Sequence, residues 1–254
     1  MLSLNILCRN LALDGHMKKA ASFLKSLILF FRPGLWAGFL SHPFLWISNV
    51  LRLSRWISKN SVKGLNDFYS PFRDYGKRYK LYQHLRDEYK LSTIAIDYVE
   101  FGVSQALSFK WWIKNNTNPD SKFYGFDTFE GLPENWGLFE KGSMAANIPV
   151  IEGNRHEFFK GLFQETLPGF LRSGKIQRER FKIIHLDADL FSSTLYALTS
   201  LHPYLKSGDI LIFDEFNVPT HEFRAFMDYA DSYYIKYEVL AAVNNYFQTA
   251  IWIK

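Results

Sequence analysis

The chain has 254 residues, 48% of them hydrophobic and 22% charged, a balance that supports a folded core and excludes wholesale disorder. Lys and Arg number 30 against 25 Asp and Glu, a formal charge of +5; with no long basic run or basic–aromatic stripe, no nucleic-acid partner is expected. Cys8 is the only cysteine, which excludes an intrachain disulfide and a thiolate zinc site and fits a reducing compartment.

Residues 1–16 show no clear period. From Met17 to Phe31 the residues Ala20, Leu24, Leu27, Ile28 and Phe31 share one face, so an amphipathic helix is predicted there, ended by Arg32-Pro33-Gly34. A second helix is predicted over Pro43–Ser58, apolar round most of its circumference. Lys25, Arg32, Pro33 and Pro43 keep both runs short of the roughly 20 apolar residues of a spanning helix, and Lys25 also interrupts a signal-peptide core. No transmembrane span is expected. Two uses of these helices stay open. They pack on the core or on a second subunit, giving a homo-oligomer, or they contact a membrane surface through residues 17–58, where Lys18, Lys19, Lys25, Arg52 and Arg55 flank Trp and Phe. The expected location is cytoplasmic, at the inner face of the membrane in the second case.

Residues 59–73 read as a loop and Gly76–Lys90 as a polar, tyrosine-rich helix. The expected division is therefore a helical N-terminal extension over 1–90 and an α/β domain over 91–254. A β run from Ile94 ends in Glu100-Phe101-Gly102, and Ser104–Ile113 continues as a helix. Strand, glycine turn and helix form a nucleotide-binding opening. Only Gly102 of a G-x-G-x-x-G pattern is present, which disfavours a dinucleotide site. The short strand Lys122–Phe126 delivers Asp127 and Thr128, and an acid there suits ribose hydroxyls; a turn cap made with Thr128 is the plainer alternative. A third strand is predicted over Phe158–Phe163, with Gly161 allowing a flat ring to approach, and a helix over Leu167–Arg172.

The most informative stretch is Phe181–Phe216. Two apolar strands, Phe181–Leu186 and Ile210–Phe213, flank a helix at about Ser192–Leu205, the arrangement of a right-handed crossover with parallel strands. The first strand empties into Asp187 and Asp189, the second into Asp214 and Glu215. Capping of the intervening helix would explain either Asp alone. Four carboxylates at one sheet edge call instead for a hard divalent cation. A helix over Pro219–Tyr233 carries His221. Two last strands, Ile235–Leu240 and Tyr246–Ile253, join through Asn244-Asn245, a hairpin signal. The pattern as a whole is a doubly wound, mostly parallel α/β sheet with an antiparallel end.

The stretches VEFGV (99–103), YGFDTFEGLP (124–133), KGLFQETLP (160–168), IIHLDADLFSSTLYAL (183–198) and SGDILIFDEF (207–216) together resemble the macrocin O-methyltransferase type of S-adenosylmethionine-dependent enzymes, which methylate sugar hydroxyls. The resemblance implies a Rossmann-like class I methyltransferase with a seven-stranded sheet, and S-adenosyl-L-methionine and Mg2+ as cofactors. It also implies a sugar-containing small molecule or glycan as acceptor, as in polysaccharide biosynthesis. Glu100, Phe101 and Gly102 would lie against the amino-acid end of the cofactor, and Asp127 with Thr128 at its ribose. Asp187, Asp214 and Glu215 would hold the metal, while Asp189 supports the loop. Two departures stand out: Ser104-Gln105-Ala106 replaces glycines common in the family, and Asp214-Glu215 replaces Asp-Asp. Asp187 is the first candidate for the proton acceptor and His221 the second. The rival readings are a metal-dependent glycosyltransferase, since Asp187-Ala188-Asp189 fits D-x-D, and a non-catalytic membrane-associated scaffold.

Overall fold

Among the described residues, seven apolar runs pair into one sheet in the computed structural model, which describes residues 2–254, with side chains from residue 17 on. The strands are β1 (Ile96–Phe101), β2 (Lys122–Asp127), β3 (His156–Lys160), β4 (Phe181–Leu186), β5 (Ile210–Phe213), β6 (Tyr237–Val243) and β7 (Gln248–Ile253). Their order is β3-β2-β1-β4-β5-β7-β6. The first five are parallel, and β7 runs antiparallel to both β5 and β6. Every residue of β1 is buried, as helices on both faces of a parallel sheet require. On one face Phe101, Phe126, Leu186 and Phe213 share a core with α6 (Phe163–Arg172), α7 (Phe191–Leu201) and α8 (Glu222–Ser232). On the other, Tyr98, Phe123, Ile183 and Ile212 pack with α4 (Lys77–Glu88) and α5 (Leu107–Asn115). This is the doubly wound, mostly parallel sheet with an antiparallel end that the sequence led one to expect.

Several boundaries differ, each for a local reason. β3 stops at Lys160 rather than Phe163, because Gly161 takes φ +141 and its N–H turns back to the Asp127 carbonyl at 3.0 Å. That frees α6 to start at Phe163, with Pro168 inside it. α8 begins at Glu222, not Pro219. The last hairpin turns where Asn244-Asn245 suggested, with Asn244, Asn245 and Tyr246 at φ 54, 58 and 66. The segment at 59–73 is not a free loop. Lys63 and Gly64 donate N–H bonds to Val239 and Leu240 carbonyls at 2.9 Å, covering the exposed edge of β6.

The chain separates into two compact units, Met1–Ser48 and Asn49–Lys254. The division falls at Ser48 rather than at residue 90, since α4 buries Leu81, Tyr82 and Leu85 as part of the sheet's cover. The first unit contains α1 (Leu2–Phe31), α2 (Gly34–Ala37), a tight turn at Gly38–Leu40 and the start of α3 (Ser41–Lys59). Cys8, like all of residues 1–16, lies outside the described side chains. Among the described residues no single helix is long and apolar enough to cross a membrane.

Within the second unit the end of α3 is anchored by Trp56. Its ring meets Phe216, Phe223 and Tyr246 at centroid distances of 4.9, 6.1 and 6.0 Å, and Nε1 donates to the Tyr237 hydroxyl at 2.8 Å. Trp56→Ala leaves a cavity and removes the donor to the Tyr237 oxygen, for which about 3–5 kcal/mol of lost stability is expected in urea unfolding.

Candidate functional site

The C-terminal ends of β1, β2, β4 and β5 open on one cavity of about 650 Å³. It lies beside the β1–β4 junction, where the strand order reverses and open α/β sheets take ligands. The ladder continues one residue past each strand: Gly102 N–H donates to Phe126 O, Asp187 N–H to Phe101 O and Asp214 N–H to Leu186 O, at 2.9, 2.9 and 3.0 Å. Carboxylates following those strands are thereby aimed into a common space. Glu100, Gly102, Asp127, Thr128, Asp187, Asp189, Asp214 and Glu215 all line it. Neither Asp187 nor Asp189 caps α7, whose N-cap is Leu190 without a side-chain bond.

Backbone conformation makes this convergence possible. At Gly102, φ +90, an added Cβ would lie 1.8 Å from the Asp187 carbonyl oxygen, so no other residue fits. Ser104 and Ala106 occupy left-handed conformations at φ 46 and 58. The loop thus keeps a glycine-type path with non-glycine residues, at about 1–2 kcal/mol each. Asp127 ties the loop down, accepting from Ser104 N–H and Phe129 N–H at 2.7 Å each. Thr128 closes the adjacent turn by donating to Gly131 O at 2.7 Å.

The charge balance is uneven. Burial, then Asp214 and Asp189, push the Asp187 carboxyl well above its usual range. Burial, with Asp214 and Asp127, raises Asp189 to about 7, and burial, with Asp189 and Asp214, raises Glu215 to about 8. Glu222, buried behind them, accepts from Glu215 N–H at 2.9 Å and is also pushed well up by burial. The compensating charge comes from Arg78 on α4. Its guanidinium bonds Asp214 Oδ2 at 2.7 Å and sits 3.9 Å from Asp187 Oδ2. Arg73, stacked 3.6 Å over the Phe247 ring, lines the same wall.

Three sequence candidates are placed differently from expectation. The Phe101 side chain points into the core and stacks on Phe126 at 5.2 Å, because alternation along β1 turns it away from its neighbour Glu100. Gly161 does not line the cavity; Leu162, Phe163 and Gln164 do. His221 also lies off the wall, behind Trp136, whose ring meets the imidazole edge-on at 6.4 Å. Burial lowers its pKa, and its Nδ1 has no hydrogen-bond partner. Conversely, sequence reasoning passed over Arg78, Arg73, Glu222 and Trp136. Arg78 and Tyr82 are spaced i, i+4 on a predicted helix beside an uncompensated acidic cluster, and that was a usable signal.

For a magnesium ion the residues give a mixed answer that favours it on chemistry. Asp187, Asp214 and Glu215 are hard oxygen donors, and Asp214 Oδ1 and Glu215 Oε2 are buried without any partner. Among the described residues no three His, Cys, Asp or Glu side chains are already arranged round one point. The donor set fits by the chemistry of its oxygens.

Comparison with known proteins agrees with this geometry. Residues 150–252 match the family model described as macrocin-O-methyltransferase (TylF). The 8-demethyl-8-(2,3-dimethoxy-alpha-L-rhamnosyl)-tetracenomycin-C 4'-O-methyltransferase of Streptomyces olivaceus is 30% identical over 36% of this chain. The aligned part is 41% of that relative, so the chain spans about two fifths of its length. The calicheamicin methyltransferase CalS11 superposes with a TM-score of 0.51 at 18% identity, covering 81% of this chain and 91% of its own. The O-methyltransferase NovP gives 0.54 at 21% identity, with coverages of 70% and 79%. At those identities the likeness is one of fold. The family resemblance is supported over 150–252, the part that carries β4, β5 and the final hairpin.

The raised carboxyls make a prediction for the metal-free chain. Glu215 and Asp189 bind protons more tightly folded than unfolded, so stability falls as pH rises from about 4 towards 8. A thermal melt in chelator should therefore drop across that window, and magnesium should flatten the decline.

Proposed function

We propose that this chain transfers the methyl group of S-adenosylmethionine to a hydroxyl of a sugar-containing acceptor, with magnesium as the metal. The observation that carries the reading is the convergence of Glu100, Asp127, Asp187, Asp214 and Glu215 on one cavity at the β1–β4 junction. The relatives named above are methyltransferases by name, and the 30% identical one carries a rhamnosyl group in its name, which favours this reading over the D-x-D glycosyltransferase and over a non-catalytic scaffold.

The cofactor supplies an electrophilic methyl on a sulfonium, and a bound magnesium ion lowers the pKa of a hydroxyl that binds it. The chain's own residues do the rest. Glu100 receives the ammonium of the cofactor's amino-acid end, and Asp127 the ribose hydroxyls. Asp187, Asp214 and Glu215 hold the metal. Asp187 accepts the acceptor's proton as the oxygen attacks the methyl in line, leaving S-adenosylhomocysteine and a methyl ether. Arg78 holds the carboxylates together before ligands arrive, and alignment of oxygen and methyl accounts for most of the rate.

Titration calorimetry separates the readings. S-adenosylmethionine should bind, and Asp127→Asn should weaken it at least about tenfold, the loss of one charged hydrogen bond. Asp187→Asn should lower kcat by about 10²–10⁴ and remove the magnesium-dependent shift of the melting curve. A chain that binds a nucleotide sugar but no S-adenosylmethionine would be the glycosyltransferase; one that binds neither would be the scaffold.

A membrane-surface role is favoured by the first unit. Residues 17–48 hold Lys18, Lys19, Lys25 and Arg32 with no Asp or Glu, and Phe30, Trp36 and Phe39 are 79%, 71% and 73% exposed. Basic and exposed aromatic residues on these helices suit the anionic inner leaflet, which would present lipid-linked glycans to the site. Arg52 is not part of this set, since it pairs with Asp228 and Asp231 at 2.8 and 2.7 Å. The full chain should float with vesicles containing phosphatidylglycerol and not with phosphatidylcholine alone, and Lys19→Glu with Lys25→Glu should release it. A stable homo-oligomer that ignores both vesicles would assign the same apolar face to a second copy.

A further inference from the structure

Beneath the cavity floor runs a closed chain of hydrogen bonds that methyl transfer as described does not use. Tyr98 donates its hydroxyl to Glu100 Oε2 at 2.6 Å and lies 2.7 Å from His185 Nδ1. His185 Nε2 is 3.3 Å from the Tyr82 hydroxyl, itself 3.1 Å from Ser108 Oγ. All five residues are buried, yet the two ends, Glu100 and Ser108, line the cavity. Burial holds both phenols well above their ordinary pKa, so each keeps its single proton.

One proton per hydroxyl makes the chain directional. With Tyr98 donating to Glu100, its oxygen must accept from His185, so Nδ1 carries the hydrogen. In a neutral ring Nε2 is then an acceptor of the Tyr82 O–H, and the Tyr82 oxygen accepts from Ser108. Each donor of the chain is then used once when Glu100 is a carboxylate.

We infer that Tyr98 is a positioning residue for the methyl donor: backed by His185 as its Nδ1–H tautomer and by Tyr82, its hydroxyl fixes the Glu100 carboxylate that receives the cofactor's ammonium. Glu100 sits near the end of a strand, and its nearest basic nitrogen is a histidine 3.8 Å away. A carboxylate without a cationic partner turns about its side-chain torsions unless a donor holds one oxygen. Tyr98 is that donor. His185 and Tyr82 act one and two bonds further back, so their effect on the ligand declines in that order.

The inference rests on the methyl-donor reading and is tested with two ligands. S-adenosylhomocysteine carries the amino-acid end, and methylthioadenosine lacks it. Tyr98→Phe retains the ring that packs on Trp112 and Phe123 at 5.7 and 5.9 Å. In calorimetry this variant should bind S-adenosylhomocysteine about tenfold more weakly, as expected for losing a hydrogen bond to a charged group, and bind methylthioadenosine unchanged. Tyr82→Phe should give a smaller, equally selective loss. Heteronuclear NMR of the ring nitrogens should find His185 in the Nδ1–H form in the S-adenosylhomocysteine complex of the unaltered chain, a readout that stands even if a variant does not fold. Equal loss of both ligands, no loss of either, or an Nε2–H tautomer in the complex would overturn the inference. An unaltered chain that binds neither ligand would overturn the methyl-donor reading itself.

Discussion

Mutual repulsion of carboxylates at one sheet edge is the constraint around which this molecule is arranged. Two like charges 4 Å apart cost about 4 kcal/mol at an effective dielectric of 20, and Asp187, Asp189, Asp214 and Glu215 share a single cavity wall. Backbone hydrogen bonds leave them no room to diverge, because Asp187 and Asp214 are each held by the neighbouring strand. The chain answers in two ways. Burial raises the pKa of several members, so that protons replace counter-ions, and Arg78 reaches in from α4 to bond Asp214. The edge is thereby held together without a counter-ion in the cavity.

The same edge shows strain kept where ligands bind. Ser104 and Ala106 hold left-handed conformations that glycine adopts without penalty. Ser104 lines the cavity and gives its N–H to Asp127, while Ala106 is buried behind it. Non-glycine residues at left-handed positions make for a stiff path, and Gly102 and the Asp187 carbonyl leave it barely wide enough. Stiffness of this kind favours a fixed ligand position over an adaptable one.

Much of this was legible in residues 94–216, and the reason is physical. Alternating strands and helices with acids at strand ends leave few topologies once crossovers are right-handed, and β4 and β5 were bounded to the residue. The side chains that failed expectation did so for reasons that one-dimensional spacing does not carry. Phe101 lies beside Glu100 in sequence but on the opposite face of β1. His221 is withdrawn by the fold of the 129–155 segment, which interposes Trp136. Gly161 spends its freedom on turning the chain out of β3 rather than on admitting a ring. Arg78 escaped because its partners are distant in sequence, so its spacing to Tyr82 gains meaning only beside the unbalanced charge of the acidic cluster.

Helix α4 then carries more of the site than its position before the first strand suggests. Arg78 and Tyr82 stand one turn apart, so a single helical face supplies the cation above the carboxylates and a link in the hydrogen-bonded chain beneath Glu100. Arg78 takes only Oδ2 of Asp214. The opposite oxygen, and one of Glu215, remain buried without partners, so guanidinium and metal need not compete for the same atoms. An arginine that neutralises part of the cluster lowers the charge a metal must balance and keeps the remaining oxygens together for it. The acidic edge, the loop at Gly102 and the buried tyrosines are therefore coupled through one short helix. A shift of α4 along its axis would be felt at the metal donors and at Glu100 together.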